Sequence, residues 1–179
     1  MTRDRLADLA RFSELRGRHG HGRFAYCSCM RWRLPSTEFQ RSTPSGRQAG
    51  LRRLVEEGTP VGVLGYLDGE PVGWCSIAPR DTYGALERSR ALARIDAEPV
   101  WSVACFFLDS RVRSRGFTGR LLGAAVAYAL AEGASTIEAY PVEPGPRLYT
   151  YMGAPSTFLR AGFRDVTPPG RERRIMRYP

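Results

Sequence analysis

The sequence has no lysine and no asparagine, so all 27 cationic side chains among its 179 residues are arginines. Without lysine there is no side-chain amine to form a Schiff base and none to accept an acyl group in self-modification. Lysine and asparagine have AT-rich codons, whereas arginine, alanine, glycine and proline have GC-rich ones. The bias points to a GC-rich bacterial genome. Histidine is nearly absent too, with only His19 and His21, both in the polar stretch Gly17 to Gly22. The cysteines stand at 27, 29, 75 and 105. Cys27-x-Cys29 has the spacing of neither a zinc knuckle nor a dithiol redox site, and no histidine pair accompanies it, so neither a metal nor a disulfide is expected. Cys75 and Cys105 fall within apolar runs, where a free thiol acts as a small hydrophobe. No run reaches the ~20 apolar residues of a membrane span. Met1-Thr-Arg-Asp opens no signal-peptide stretch, and a cytoplasmic protein with no membrane partner is expected.

The chain does have enough apolar residues, 42%, to build a core, and a net charge of +9. Such a balance attracts anions. The arginines are scattered, with modest clusters at Arg52-Arg53 and at Arg171, Arg173, Arg174 and Arg177. No nucleic-acid-reading motif accompanies them, so an arginine-rich nucleic-acid binder is the weaker reading. The densest information lies between Trp101 and Glu132. An apolar run (Val103 to Leu108) predicts a buried strand. Asp109 to Gly119 is a short loop with two glycines and three arginines. From Arg120, residues Leu121, Leu122, Ala125, Val126, Ala129 and Leu130 follow a helical period, and Gly133 ends the helix. A glycine loop between a strand and a helix gathers backbone N–H groups in front of the positive end of the helix dipole, an arrangement that binds phosphate. The loop has no lysine, which argues against ATP or GTP hydrolysis.

Arg113-x-x-Gly116-x-Thr118 resembles the pyrophosphate-binding motif of the GNAT N-acetyltransferase superfamily, Gln/Arg-x-x-Gly-x-Gly/Ala. The likeness continues through a strand at Thr136 to Tyr140, a short helix near Ala154 to Arg160, and Ala161-Gly162-Phe163. It implies an acyl-CoA N-acyltransferase fold: α/β, a mixed and mostly antiparallel sheet of about six or seven strands, splayed beside Leu108, with helices on both faces. It also implies acetyl-CoA as co-substrate and direct acetyl transfer to a primary amine of a small molecule or peptide. One domain, 1–179, is expected, with N-terminal helices and an aromatic, cysteine-bearing segment over 1–60 and the acetyl-CoA-binding core over 100–166. A homodimer is compatible with the chain.

The rest of the sequence fits this frame. Thr2 or Asp4 can cap a first helix carrying Leu6, Leu9, Ala10 and Phe12. Phe24 to Leu34 reads as a strand or extended segment. It is either core or an acceptor-pocket wall presenting Tyr26, Met30 and Trp32. Ser45 to Glu57 predicts a helix stopped by Gly58, and Val61 to Leu67 with Pro71 to Ile77 flank Asp68-Gly69, a hairpin signal. Pro79 to Ala97 is an arginine-rich connector with Leu86 and Leu92 on a possible helix. Pro141 to Tyr151 is a loop, and Ile175, Met176 and Tyr178 suggest a last strand.

By the same resemblance, backbone groups of Phe106, Phe107 and Leu108 pair with pantetheine. Arg113, Ser114, Arg115, Gly116, Phe117, Thr118 and Gly119 cradle the pyrophosphate, with Thr118 replacing the usual Gly/Ala. Transfer also needs a polarised carbonyl, a neutral amine and an acid for the leaving thiolate. The superfamily's tyrosine acid, four residues before Gly-Phe, corresponds to Phe158, which lacks a proton and can only line the cofactor. Tyr151, where an asparagine is usual, or Tyr149 can supply a hydroxyl instead, or can form an aromatic wall for pantetheine. The family's glutamate base corresponds to Ser102, and Glu138 is the nearest alternative carboxylate. The missing acid and base leave a second reading open, a non-catalytic acyl-CoA-binding or sensor module.

Overall fold

The computed structural model describes residues 1–15, 24–112, 116–143 and 150–179. Its sheet grows from the Asp68-Gly69 hairpin. Strands β1 (Val63–Leu67) and β2 (Glu70–Pro79) pair antiparallel. Asp68 and Gly69 both have positive φ, 50° and 79°, the conformation a type I′ turn demands at its two central residues. Strand β3 (Trp101–Leu108) adds antiparallel to β2. The short strand β4 (Ile137–Ala139) lies parallel to β3, and β6 (Met176–Tyr178) and β5 (Arg164–Asp165) complete a six-stranded order β1-β2-β3-β4-β6-β5. The sheet is mixed and mostly antiparallel, as the sequence implies.

Helices cover both faces because side chains alternate along the central strands. Trp74 and Phe107 join Leu9, Phe12, Phe24, Leu51 and Val55, carried by α1 (Leu6–Ser13), a 3-10 turn at Phe24–Tyr26, and α3 (Pro44–Glu56). Cys75, Phe106 and Leu108 face the other way, against Leu121, Leu122 and Ala125 of α5 (Phe117–Ala131) and Phe158 of α6 (Pro155–Arg160). With both faces covered, Pro71 to Ala78 of β2 is buried without a break. Thr43 caps α3, its hydroxyl accepting from the Gly46 N–H at 3.0 Å. A six-residue helix that the sequence pattern did not suggest, α2 (Ser36–Arg41), follows Pro35.

The segment Phe24 to Leu34 is not a strand. Beyond Phe24–Tyr26 it continues as tight turns, Ser28 N–H bonding Phe24 C=O at 2.9 Å and Leu34 N–H bonding Met30 C=O at 2.9 Å. Its buried residues are Phe24, Ser28, Cys29, Met30, Trp32 and Arg33, a spacing without the period of two that a half-buried strand needs. Burial against α1 and α3 overrides the strand preference of its aromatics. In the connector, Arg80–Thr82 is a 3-10 turn and only Gly84–Glu87 (α4) is α-helical. Leu92 is fully buried from a loop, its carbonyl accepting from Arg80 Nη2 at 2.6 Å.

Candidate functional site

The open part of the sheet begins after Val103. The β3–β4 ladder is three residues long, Trp101↔Ile137, Ser102↔Glu138 and Val103↔Ala139. Strand β3 runs on to Leu108, still paired with β2. From Ala104 to Leu108 it therefore has no β4 partner, among the described residues, on its other edge. Its unpaired N–H and C=O groups can take up an extended amide chain. The strand is also bulged here. Ser76 pairs with Cys105 but Ile77 with Val103, leaving Ala104 as the extra residue, and bulges re-aim backbone groups.

Helix α5 starts at the mouth of this fork. Gly116 is its N-cap, left-handed at φ 65°, ψ 13°, with no side-chain cap. The first helical N–H groups therefore lack the usual side-chain acceptor and face outward with the positive end of the dipole. Among the described residues, a Cβ added at Gly116 or Gly119 would meet no atom within 4 Å, so neither glycine is packed against the rest of the fold. Arg113, Ser114 and Arg115 lie outside the described residues. Thr118 is half-buried and Gly119 exposed. Phe117, expected in the pyrophosphate cradle, turns its ring inward and is buried. The ring rests where β1 and β2 place glycines opposite each other, Gly65↔Gly73. A Cβ at Gly73 would approach Phe117 Cε1 to 2.7 Å and Leu108 Cδ2 to 3.1 Å. Phe117 thus anchors the helix start to the sheet, and only its backbone can serve the anion. The Arg120 guanidinium lies over the Phe117 ring at 5.4 Å, a cation beside the helix start that the motif did not single out.

Before the helix, Asp109 organises the turn. Its carboxylate accepts from the Arg111 N–H at 2.7 Å and from Arg111 Nε at 3.1 Å. Burial pushes this carboxyl up, but the Arg111 hydrogen bonds outweigh it and hold it below its ordinary 3.8.

Ser102 and Glu138 do not face the open edge. Ser102, Glu138, Tyr140 and Arg80 are all 1% exposed or less. Arg80 Nη1 donates to Glu138 Oε1 at 2.6 Å and to the Tyr140 hydroxyl at 2.8 Å. The Tyr140 hydroxyl donates to Glu138 Oε1 at 2.7 Å and shares a 2.8 Å bond with Ser102 Oγ. Arg177 Nε reaches Glu138 Oε2 at 2.9 Å, and Arg80 Nε reaches Glu87 at 2.6 Å. Burial and the neighbouring Glu138 charge push the Tyr140 phenol well above its ordinary 10.0, so it stays a donor. Both oxygens of Glu138 are thus occupied inside an ion cluster, an arrangement that does not suit a carboxylate meant to take a proton from an amine.

Phe158 has no exposed surface. Its ring sits 6.0 Å from Phe106 and 5.1 Å from Phe163, on the α5 face of β3. Tyr151 belongs to a 3-10 turn, Thr150–Met152, and packs half-buried against the clusters of the opposite face. The structure therefore sets these two candidates on different layers. Tyr149 lies outside the described residues. Of the aromatic wall, Met30 and Trp32 are core, whereas Tyr26 is 70% exposed. The four cysteines are free thiols. Cys29 and Cys105 belong to the same core cluster. Burial pushes the Cys27 thiol up to about 11, which makes it a poor nucleophile. Among the described residues no three His, Cys, Asp or Glu side chains gather as metal ligands, and no helix is long and apolar enough to cross a membrane.

Comparison with known proteins gives the same architecture. Residues 26–153 match the profile of the Acetyltransferase (GNAT) family. A sequence comparison with curated proteins finds no significant match. Among solved structures, a Drosophila melanogaster polyamine N-acetyltransferase that forms N-acetylagmatine aligns with TM-score 0.57 and 14% identity, over 99% of this chain and 96% of its own. A ribosomal-protein-alanine N-acetyltransferase from Brucella melitensis aligns with TM-score 0.52 and 15% identity, over 99% and 96%. An aminoglycoside acetyltransferase in complex with coenzyme A aligns with TM-score 0.53 and 19% identity, over 99% and 91%.

Proposed function

The chain belongs to the GNAT acetyltransferase family, and from that premise we propose that it is an N-acetyltransferase using acetyl-CoA. The observation that carries the reading is the open edge of β3 ending at an uncapped, glycine-started helix. In this reading the backbone of Phe106, Phe107 and Leu108 hydrogen-bonds the pantetheine amides. The first N–H groups of α5, with Gly116 and Gly119 leaving room, hold the pyrophosphate, and Arg113, Ser114, Arg115 and Arg120 add charge and donors. Bound acetyl-CoA supplies the activated acyl group. The primary amine attacks it directly, and the thiolate leaves.

No general base is assigned. With Ser102 and Glu138 inside the cluster, transfer relies on holding a neutral amine against the thioester, where orientation alone is worth about 7–11 kcal/mol in well-aligned reactions. Tyr151 is the side-chain acid proposed for the thiolate. The acceptor is a small-molecule or peptide amine, since the fold serves acceptors as different as a polyamine, an aminoglycoside and a ribosomal-protein alanine in its structural neighbours. The occupied Glu138 and the phenylalanine at 158 also fit a non-catalytic acyl-CoA-binding module. Thiol release from acetyl-CoA across a broad amine panel separates the two. Turnover with any amine supports the enzyme, whereas CoA binding with no turnover supports the binding module.

A further inference from the structure

We propose that Ser102, Glu138 and Tyr140, gripped by Arg80, are positioning residues that fix where β3 and β4 part, and so where the thioester is held. The inference rests on the reading that acetyl-CoA occupies this fork. The location of the cluster carries it. Ser102 and Glu138 are partners within the three-residue parallel ladder, and Tyr140 is the first residue past its end. Two residues apart on an extended segment, Glu138 and Tyr140 share a face, and the phenol turns back to bridge Glu138 and Ser102 at 2.7 and 2.8 Å.

Arg80 comes from directly behind β2, whose Pro79 pairs with Trp101. Arg177 approaches Glu138 from its partner position on β6. Four strands are therefore bolted together at one level, immediately below the bulged Ala104 where the edge opens. Three parallel pairs are a weak hinge by themselves. Charge-assisted bonds removed from water stiffen it. A proton relay from the same atoms does not fit, because they hydrogen-bond one another, the Arg177 guanidinium, the Glu87 carboxylate and the Leu92 carbonyl. None of the four residues is exposed enough to meet an acceptor.

The test compares the full chain with Tyr140→Phe and with the milder Ser102→Ala. Three readings are taken: amide hydrogen exchange, CoA binding by calorimetry, and turnover with the best amine of the panel. The expected result is exchange at 101–103 and 137–140 about tenfold or more faster, with the β1–β2 amides unchanged. Turnover should fall about 10- to 100-fold, with CoA affinity within about threefold of wild type because the phosphate grip lies elsewhere. Unchanged exchange at the fork, or faster exchange with unchanged kcat, overturns the positioning role. A wild-type chain that fails to bind CoA overturns the fork's assignment, and the positioning role with it. Wild-type binding beside unaltered variants rejects the positioning role alone.

Discussion

Tyr151 and Phe158 show how much depends on which layer a ring occupies. Phe158 is packed between Phe106 and Phe163 with no surface exposed, so a hydroxyl added there enters a tight apolar site and costs about 1–3 kcal/mol if it finds no partner. Tyr151 is half-buried beside the opposite face of β3. If it protonates the leaving thiolate, Tyr151→Phe lowers kcat by about 10²-fold or less while KM for acetyl-CoA stays nearly flat, the pattern of an interaction made in the transition state. Steady-state kinetics decide it, and wild-type kcat in the variant would remove Tyr151 from the chemistry. Neither layer could be read from the sequence, because the loop 141–151 gives no periodicity from which to assign a face. The Arg80 cluster was equally hidden, since it joins side chains 58 and 60 residues apart and leaves no local pattern.

Among the elements, β3 and α5 form the proposed CoA-binding unit, and Gly73 is its hidden joint. The strand–loop–helix order was legible because each part has a local signature, an apolar run, a two-glycine loop and a 3.6-residue stripe, although the helix begins at Phe117 and takes in Gly119, three residues before the expected Arg120. The seat that receives Phe117 was not, for it is made by two glycines brought together only when β1 and β2 pair. A methyl at Gly73 presses on Phe117 and Leu108 together. Gly73→Ala should therefore cost about 1–3 kcal/mol of stability by overpacking and weaken CoA binding as well, by tilting the helix start and shifting the end of β3. Urea unfolding and calorimetry check the two effects. A variant of normal stability and normal affinity would show that the seat is not rigid. The opposite lesson comes from Phe24 to Leu34, where aromatic content suggested a strand and the packing of α1 and α3 made turns instead.

Across the whole molecule, guanidinium–carboxylate pairs tie distant parts together, and their charge state sets the acid limit of the fold. Burial pushes the Glu87 carboxyl up, but bonds from Arg94 and Arg80 outweigh it and hold it below 4.5, as Arg111 holds Asp109 below 3.8. A carboxyl whose folded value lies below its unfolded one stabilises above the unfolded value, and that gain is lost as pH falls through the folded value. The urea midpoint should thus be level near neutrality and drop as pH falls below about 4.5, with a shallower drop in Glu87→Gln. An identical acid profile in the variant would show that Glu87 does not contribute.

The fold, the fork and the helix start converge on one claim, that CoA binds along β3 with its pyrophosphate at Gly116. Calorimetric titration of CoA into the wild-type chain and into Gly116→Val tests it most directly. Valine is strained at φ 65° and projects from the N-cap toward the proposed phosphate position, which should cost on the order of 100-fold or more in affinity. Tight binding by the wild type with little or none by the variant is the predicted result; equal affinity in both would contradict the assignment.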